Sequence, residues 1–281
     1  MRKLTIVFLS VATLLATPAA AQRTNPLEGQ PAVRKRLMLR DNRFEVGPQL
    51  GIALNRDFFH VLLGGIKAEY HFNNFLSLGI TFAGAANAMN IRTGLTDNVL
   101  GQLDAAYNND TAHQLVPSKD MALKPMLRLN YLLGAQVNAT PFFGKMALFG
   151  KVFFNYDFYA FAGFGAAGMS DDCSGTNSCV YQDQTGASID YSNKTKGFRP
   201  GGTFGVGLHL FFNNWIALNA ELRDTVIRDN LAGRDINWDP AVSAGVVLPP
   251  AVTDADIAWD HLFVVFIGAS FYLPASVDIS R

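Results

Sequence analysis

Apolar residues recur at every second position in stretch after stretch of this chain. Successive strand side chains point to opposite faces, so this period writes one apolar face and one small or polar face. Over positions 43–54, Phe44, Val46, Leu50, Ile52 and Leu54 fall on one side. Glu45, Gly47, Gln49, Gly51 and Ala53 fall on the other. The same alternation runs through 61–72, 75–83, 123–138, 155–164, 203–210, 216–223 and 263–272. In 123–138, Leu127, Leu129, Tyr131, Leu133 and Val137 alternate with Lys124, Arg128, Asn130, Gln136 and Asn138. The last is the least clean, since Val264, Phe266 and Tyr272 put bulk on its second face.

This predicts about eight strands, each close to the roughly 9–11 residues that a tilted strand needs to cross a bilayer. The number rises to ten if 145–154 or 94–115 holds a further hairpin. An even number is expected of a single-chain barrel.

The connections alternate in length. Asn73-Asn74 and Asn213-Asn214 are two-residue turns, and 139–144, with Pro141, reads as a short one. The stretches 87–120, 170–198 and 229–260 are long and polar. The short link 55–57 is the exception. With both termini in the periplasm, the tight turns fall on that side and the long loops outside, which is how outer-membrane barrels sort their loops. Aromatic residues such as Phe72, Phe75, Phe142, Phe143, Phe212 and Trp215 flank the short turns, where an interfacial girdle belongs.

The first residues read as an export signal. Arg2 and Lys3 precede a short apolar run at 4–15, and small residues follow at Thr17-Pro18-Ala19-Ala20-Ala21. Cleavage is expected between Ala21 and Gln22. The expected organisation is a signal peptide at 1–21, a basic periplasmic segment at 22–42, the barrel at 43–273 and a periplasmic tail at 274–281. Losing Arg2 and Lys3 takes the formal charge from 0 to −2, which is no footprint for nucleic acid. Cys173 and Cys179 are the only cysteines. In an exported chain they read as a local disulfide.

Charged residues make up 16% of the chain, below the usual quarter, so its apolar surface must face a core or lipid. In hydrocarbon every unpaired backbone group costs several kcal/mol, so spanning strands must close into a ring. Eight strands leave an interior just wide enough for side chains. The polar faces put Glu45, Lys67, Glu69, Lys124, Arg128, Asp157, Glu221 and Arg223 inside, four acids against four bases. Such a balanced set can pair off, so the expected interior is closed and salt-bridged, without a wide aqueous pore. Strand glycines such as Gly51, Gly205 and Gly207 leave room in it.

Several sequence features resemble a known family. Arg34-Lys35-Arg36 is followed by Arg43-Phe44-Glu45-Val46-Gly47-Pro48, then Tyr70-His71-Phe72, Gly144-Lys145, Leu148-Phe149-Gly150-Lys151 and Tyr156-Asp157-Phe158-Tyr159. The chain is similar in these to the outer-membrane β-barrel domain proteins of myxobacteria and related deltaproteobacteria. The resemblance implies an integral outer-membrane protein, in some relatives associated with envelope complexes, and brings no catalytic residues. The chain departs from many outer-membrane barrels in running on past Phe271-Tyr272 to Arg281.

Chemistry is sparse. His60, His71, His113, His209 and His261 show no ligand spacing, so no metal or cofactor is expected. Ser77 and His71, on neighbouring strands with Glu69 near by, do not complete a hydrolase constellation. The long loops carry many aspartates, which makes divalent cations candidate ligands there, against the plainer alternative of a solvated acidic surface. The expected function is a non-catalytic outer-membrane barrel, embedded in outer-membrane lipid, with a structural or docking role toward a periplasmic or envelope-complex partner. The alternatives are a narrow small-solute channel and a secreted soluble barrel that binds an apolar ligand. Intact-mass analysis of the protein recovered from membranes is expected to give a chain starting at Gln22; retention of residues 1–21 would make that segment an anchor.

Overall fold

Eight long strands form and close on themselves. The computed structural model describes residues 37–38, 40–109, 119–148, 152–173, 179–182, 188–190, 192–233, 253–275 and 278–279. The signal cleavage position Ala21–Gln22 and most of the basic leader lie outside the described residues. The strands are β1 (Arg43–Ala53), β2 (Phe59–His71), β3 (Leu76–Gly84) and β4 (Arg128–Leu148). They continue as β5 (Val152–Ser170), β6 (Gly197–Phe211), β7 (Ile216–Asp229) and β8 (Ala258–Leu273). Each pairs antiparallel with the next, and β8 returns to β1 through pairs such as Val265 with Ile52 and Tyr272 with Glu45. The fold is an up-and-down barrel without an open sheet edge over its ring.

The alternation becomes an inside and an outside. In β1, Arg43, Glu45, Gly47 and Gln49 are buried, and the residues between them are exposed. Leu50 is 72% exposed, Ile80 62% and Phe164 83%, whereas Glu45 is 1% and Lys67 3% exposed. A soluble barrel inverts that pattern. An apolar belt this continuous is stable only against hydrocarbon.

The two Asn-Asn turns use one device. Asn73 Oδ1 accepts from the backbone N–H groups of Phe75 and Leu76, at 2.8 and 2.7 Å. Asn213 Oδ1 does the same for Trp215 and Ile216, at 2.9 and 2.8 Å. A short amide side chain thus stands in for a missing backbone partner, which is why asparagine opens both turns.

Three sequence expectations are corrected. First, 139–144 is no turn but part of β4, which runs on to Leu148 against β5. A register shift between Ala139 and Phe142 takes up Thr140 and Pro141. Proline is tolerated at such a bulge. Residues 145–148 pair with 152–155, and 149–151 lie outside the described residues. The stretch 145–154 therefore extends a hairpin already counted.

Second, the described part of 94–115, residues 94–109, holds no hairpin. Gly94–Asn109 is an α-helix, α1, and the ring stays at eight strands. Thr93 caps it, accepting from Thr96 N at 3.2 Å. Third, a register shift between Leu129 and Tyr131 moves the outer end of β4 to the other parity. One extra residue flips every side chain beyond it. Leu127 and Leu129 therefore turn inward and are buried, while Leu133 and Val137 face out.

The loop end is built rather than trailing. Leu127 N donates to Leu231 O at 3.1 Å, and Arg56 reaches Asp229 at 3.2 Å beneath the loops. Cys173 and Cys179 are joined in a disulfide. Replacing Ile267, 56% exposed midway along β8, by arginine is expected to cost about 2–4 kcal/mol. The urea midpoint of the barrel refolded into vesicles reads this; an unchanged midpoint would take Ile267 out of the lipid.

Candidate functional site

The lumen holds the polar chemistry of the chain, and it is layered. In the half nearer the short turns, Lys67 sits between two carboxylates, 2.8 Å from Glu69 Oε1 and 3.2 Å from Glu221 Oε2. Its Nζ also donates to the Tyr159 hydroxyl at 2.9 Å, and that hydroxyl donates to Glu221 at 2.8 Å. Arg223 binds the other oxygen of Glu221 at 2.7 Å and donates to Gln136 Oε1 at 2.5 Å and to Thr81 at 3.2 Å. Its guanidinium also lies over the Phe161 ring. Gln136 passes the chain to Asn138, Ser77 and Glu69.

A second string crosses the lumen lower down. Asp157 meets His209 Nδ1 at 2.8 Å, and His209 Nε2 lies 3.2 Å from Glu45. Glu45 is also 2.9 Å from His71 and accepts from Ser270 at 2.6 Å. The Tyr159 ring stacks on His209 with centroids 4.7 Å apart and so joins the two strings.

Two arginines close the mouth at this end. Arg40, ahead of β1, folds into the lumen to 3.2 Å from Asp157 and donates to Thr140 Oγ1 at 2.6 Å. Its guanidinium also binds the Asn74 carbonyl. Arg43 donates to the carbonyls of Pro274, Asn214 and Tyr272 at 2.7–2.9 Å. Both turns and the end of β8 are thereby tied across the opening.

The half nearer the loops is mainly apolar, with the buried Arg56–Asp229 pair at its rim. Leu63, Leu129, Leu132, Met169, Ile227, Leu262 and Phe266 belong to one buried cluster there. Glycine makes room for a large ring in each half. A Cβ at Gly51 would stand 2.5 Å from the Phe266 ring, and one at Gly207 would collide with the Tyr159 phenol.

Of the eight expected interior charges, Glu45, Lys67, Glu69, Asp157, Glu221 and Arg223 meet in this network. Lys124 and Arg128 do not. Lys124 precedes β4, and Arg128 lies at the outer rim, 3.6 Å from Asp172. The inverted parity beyond the Leu129–Tyr131 bulge accounts for Arg128, whereas Lys124 lies ahead of the strand altogether. The residues that sequence reasoning passed over are Arg40, His209 and Tyr159. Arg40 stood in an assumed leader. His209 and Tyr159 do fall on the inward parity of their strands, the signal that marks them.

Glu45, Glu69 and His71 also bring three ligand atoms within 4.8 Å of one another. Both carboxylates are already held, by Lys67, His71, His209 and Ser270. Ser77 turns its hydroxyl to Glu69 and His71 faces Glu45, so the two do not form a nucleophile–base pair with each other.

No family model matches the chain, and no curated protein matches it. Among solved structures it is similar to the N-terminal β-barrel domain of Pseudomonas aeruginosa OprF, at 8% identity and a TM-score of 0.39. That match covers 83% of this chain and 98% of that one. It is similar to the outer membrane protein OprG of Pseudomonas aeruginosa, at 8% identity, a TM-score of 0.39 and coverage of 83% and 97%. Neisserial surface protein A follows at 10% identity and a TM-score of 0.35, covering 82% of this chain and 95% of that one. At these values the barrel stands on its own ring of backbone pairings.

Removing one partner of a buried ion pair leaves the other charge uncompensated. Lys67→Met is expected to destabilise the barrel by about 3–5 kcal/mol, read from its denaturant midpoint. Adding Glu69→Gln, which leaves Glu221 paired with Arg223, is expected to restore most of that loss. A double variant no more stable than Lys67→Met would mean that Lys67 acts by packing alone.

Proposed function

We propose that the chain is an integral outer-membrane barrel with a sealed lumen, serving the cell envelope as a structural or docking element rather than as an enzyme. The short turns face the periplasm and the long loops face outward. The observation that carries this is the continuous filling of the lumen. Arg40 and Arg43 stand at one mouth, the Lys67–Glu221–Arg223 network above them, and the cluster around Phe266 and Leu129 above that. A solute path through the barrel would have to break buried ion pairs and then cross a packed apolar layer.

The exposed belt argues against the soluble reading, because Leu50, Ile80 and Phe164 would meet water. Loop sorting and the resemblance to outer-membrane barrel-domain proteins support the orientation. Docking falls to the surfaces outside the bilayer, the outer loops and the basic segment 22–42.

Two measurements test the reading. The protein is expected in the membrane fraction, with faster gel migration before heating than after. Inserted into planar bilayers, it is expected to stay silent. Discrete conductance steps would replace this function with that of a small-solute channel, and recovery in the soluble fraction would remove both.

A further inference from the structure

A groove of about 500 Å³ is cut into the lipid-facing side of the barrel across β2 to β6. One cross-strand row runs along it: Ile66, Phe82, Leu133, Ala166 and Pro200, each paired with the next through the ladders. Ala135 lines it in the neighbouring row, with Phe164 and Phe198 beside it. Strands lie about 4.8 Å apart, so five of them give the groove a length of about 19 Å.

The groove slopes through the membrane. Ile66 stands five residues from the turn end of β2 at His71, whereas Pro200 stands eleven from the turn end of β6 at Phe211. Both strand ends abut the Asn-Asn turns, which share one side of the barrel. The β6 end of the groove is therefore high, near the loops, and the β2 end sits deeper.

Cations are held at the high end. Arg199 donates to the carbonyls of Thr195 and Lys194, at 2.7 and 2.5 Å. This folds the loop onto the start of β6, beside Phe198 and Pro200. Lys194 and Lys196 are exposed there. Asp171 accepts from Asn193 N at 2.8 Å and lies 3.4 Å from Lys196, which steadies the loop.

We infer that the groove holds one acyl chain of a phosphorylated glycolipid of the outer leaflet, with a phosphate against Lys194 and Lys196. The inference rests on the orientation given under the proposed function. Hydrocarbon fits the groove because the strands along it are paired on both sides and offer no free backbone. The slope follows a lipid tail from the headgroup level toward the bilayer centre, and the lysines complement an anionic head.

The test uses the full barrel, refolded in detergent and titrated with lipid A, dephosphorylated lipid A or phosphatidylglycerol. Bound lipid is counted by native mass spectrometry. One lipid A per chain is expected. Ala135→Phe fills the groove and abolishes retention, while Ile267→Trp on the far wall leaves it unchanged. Lys194→Gln and Lys196→Gln each weaken lipid A binding about fivefold and leave the dephosphorylated lipid unaffected. Equal retention of phosphatidylglycerol, or indifference to both the lysine and the Ala135 substitutions, overturns the assignment. Heat-modifiable migration reports folding of each variant; if Ala135→Phe does not fold, the lysine variants decide. A silent, folded barrel that retains no lipid A sinks the groove alone, whereas a conducting barrel that retains it sinks the sealed-lumen function alone.

Discussion

Backbone pairing around a closed ring is the constraint on which this structure depends. Hydrocarbon offers no partner to a peptide group, so each strand of the ring needs a neighbour on both sides. The return of β8 to β1 supplies the last of these. Once the ring is closed, the alternation of each strand stops being local. All outward positions form one apolar surface, and all inward positions share one narrow lumen.

The lumen then sets its own demands. Eight strands leave no room for water in quantity, so charges that point inward must find one another. Lys67, Glu69, Glu221 and Arg223 come from β2 and β7, which are not neighbours, and meet only because the ring is narrow. Tyr159 from β5 bridges them to His209 and Glu45. Glycines opposite the largest rings, at Gly207 and Gly51, keep that crowding tolerable. The polar half and the apolar half divide the work: one ties strands across the lumen, and the other excludes water from it.

Much of this was legible in the residues, because a two-residue period maps directly onto faces. Six of the eight charges read as inward do meet inside. The errors cluster where one extra residue breaks the period. The bulge between Leu129 and Tyr131 sends Leu127 and Leu129 inward and takes Arg128 out of the network. The shift at Ala139–Phe142 hides Pro141 in a strand, although its composition reads as a turn. Gly94–Asn109 became a helix where the sequence offered a polar loop or a further hairpin. Bulges carry no compositional mark strong enough to place them, since they are chosen by the neighbouring strands.

What the residues alone determined is the set of strands, their two faces, the asymmetry of the connections and hence an apolar exterior. These are local properties, written by period and turn chemistry. Tertiary structure decided which inward charges became partners, that Arg40 leaves the leader to stop the mouth, and where the lipid-facing wall hollows into a groove. Those outcomes depend on register around the whole ring. Side chains dozens of residues apart become neighbours only after every strand has settled against the next.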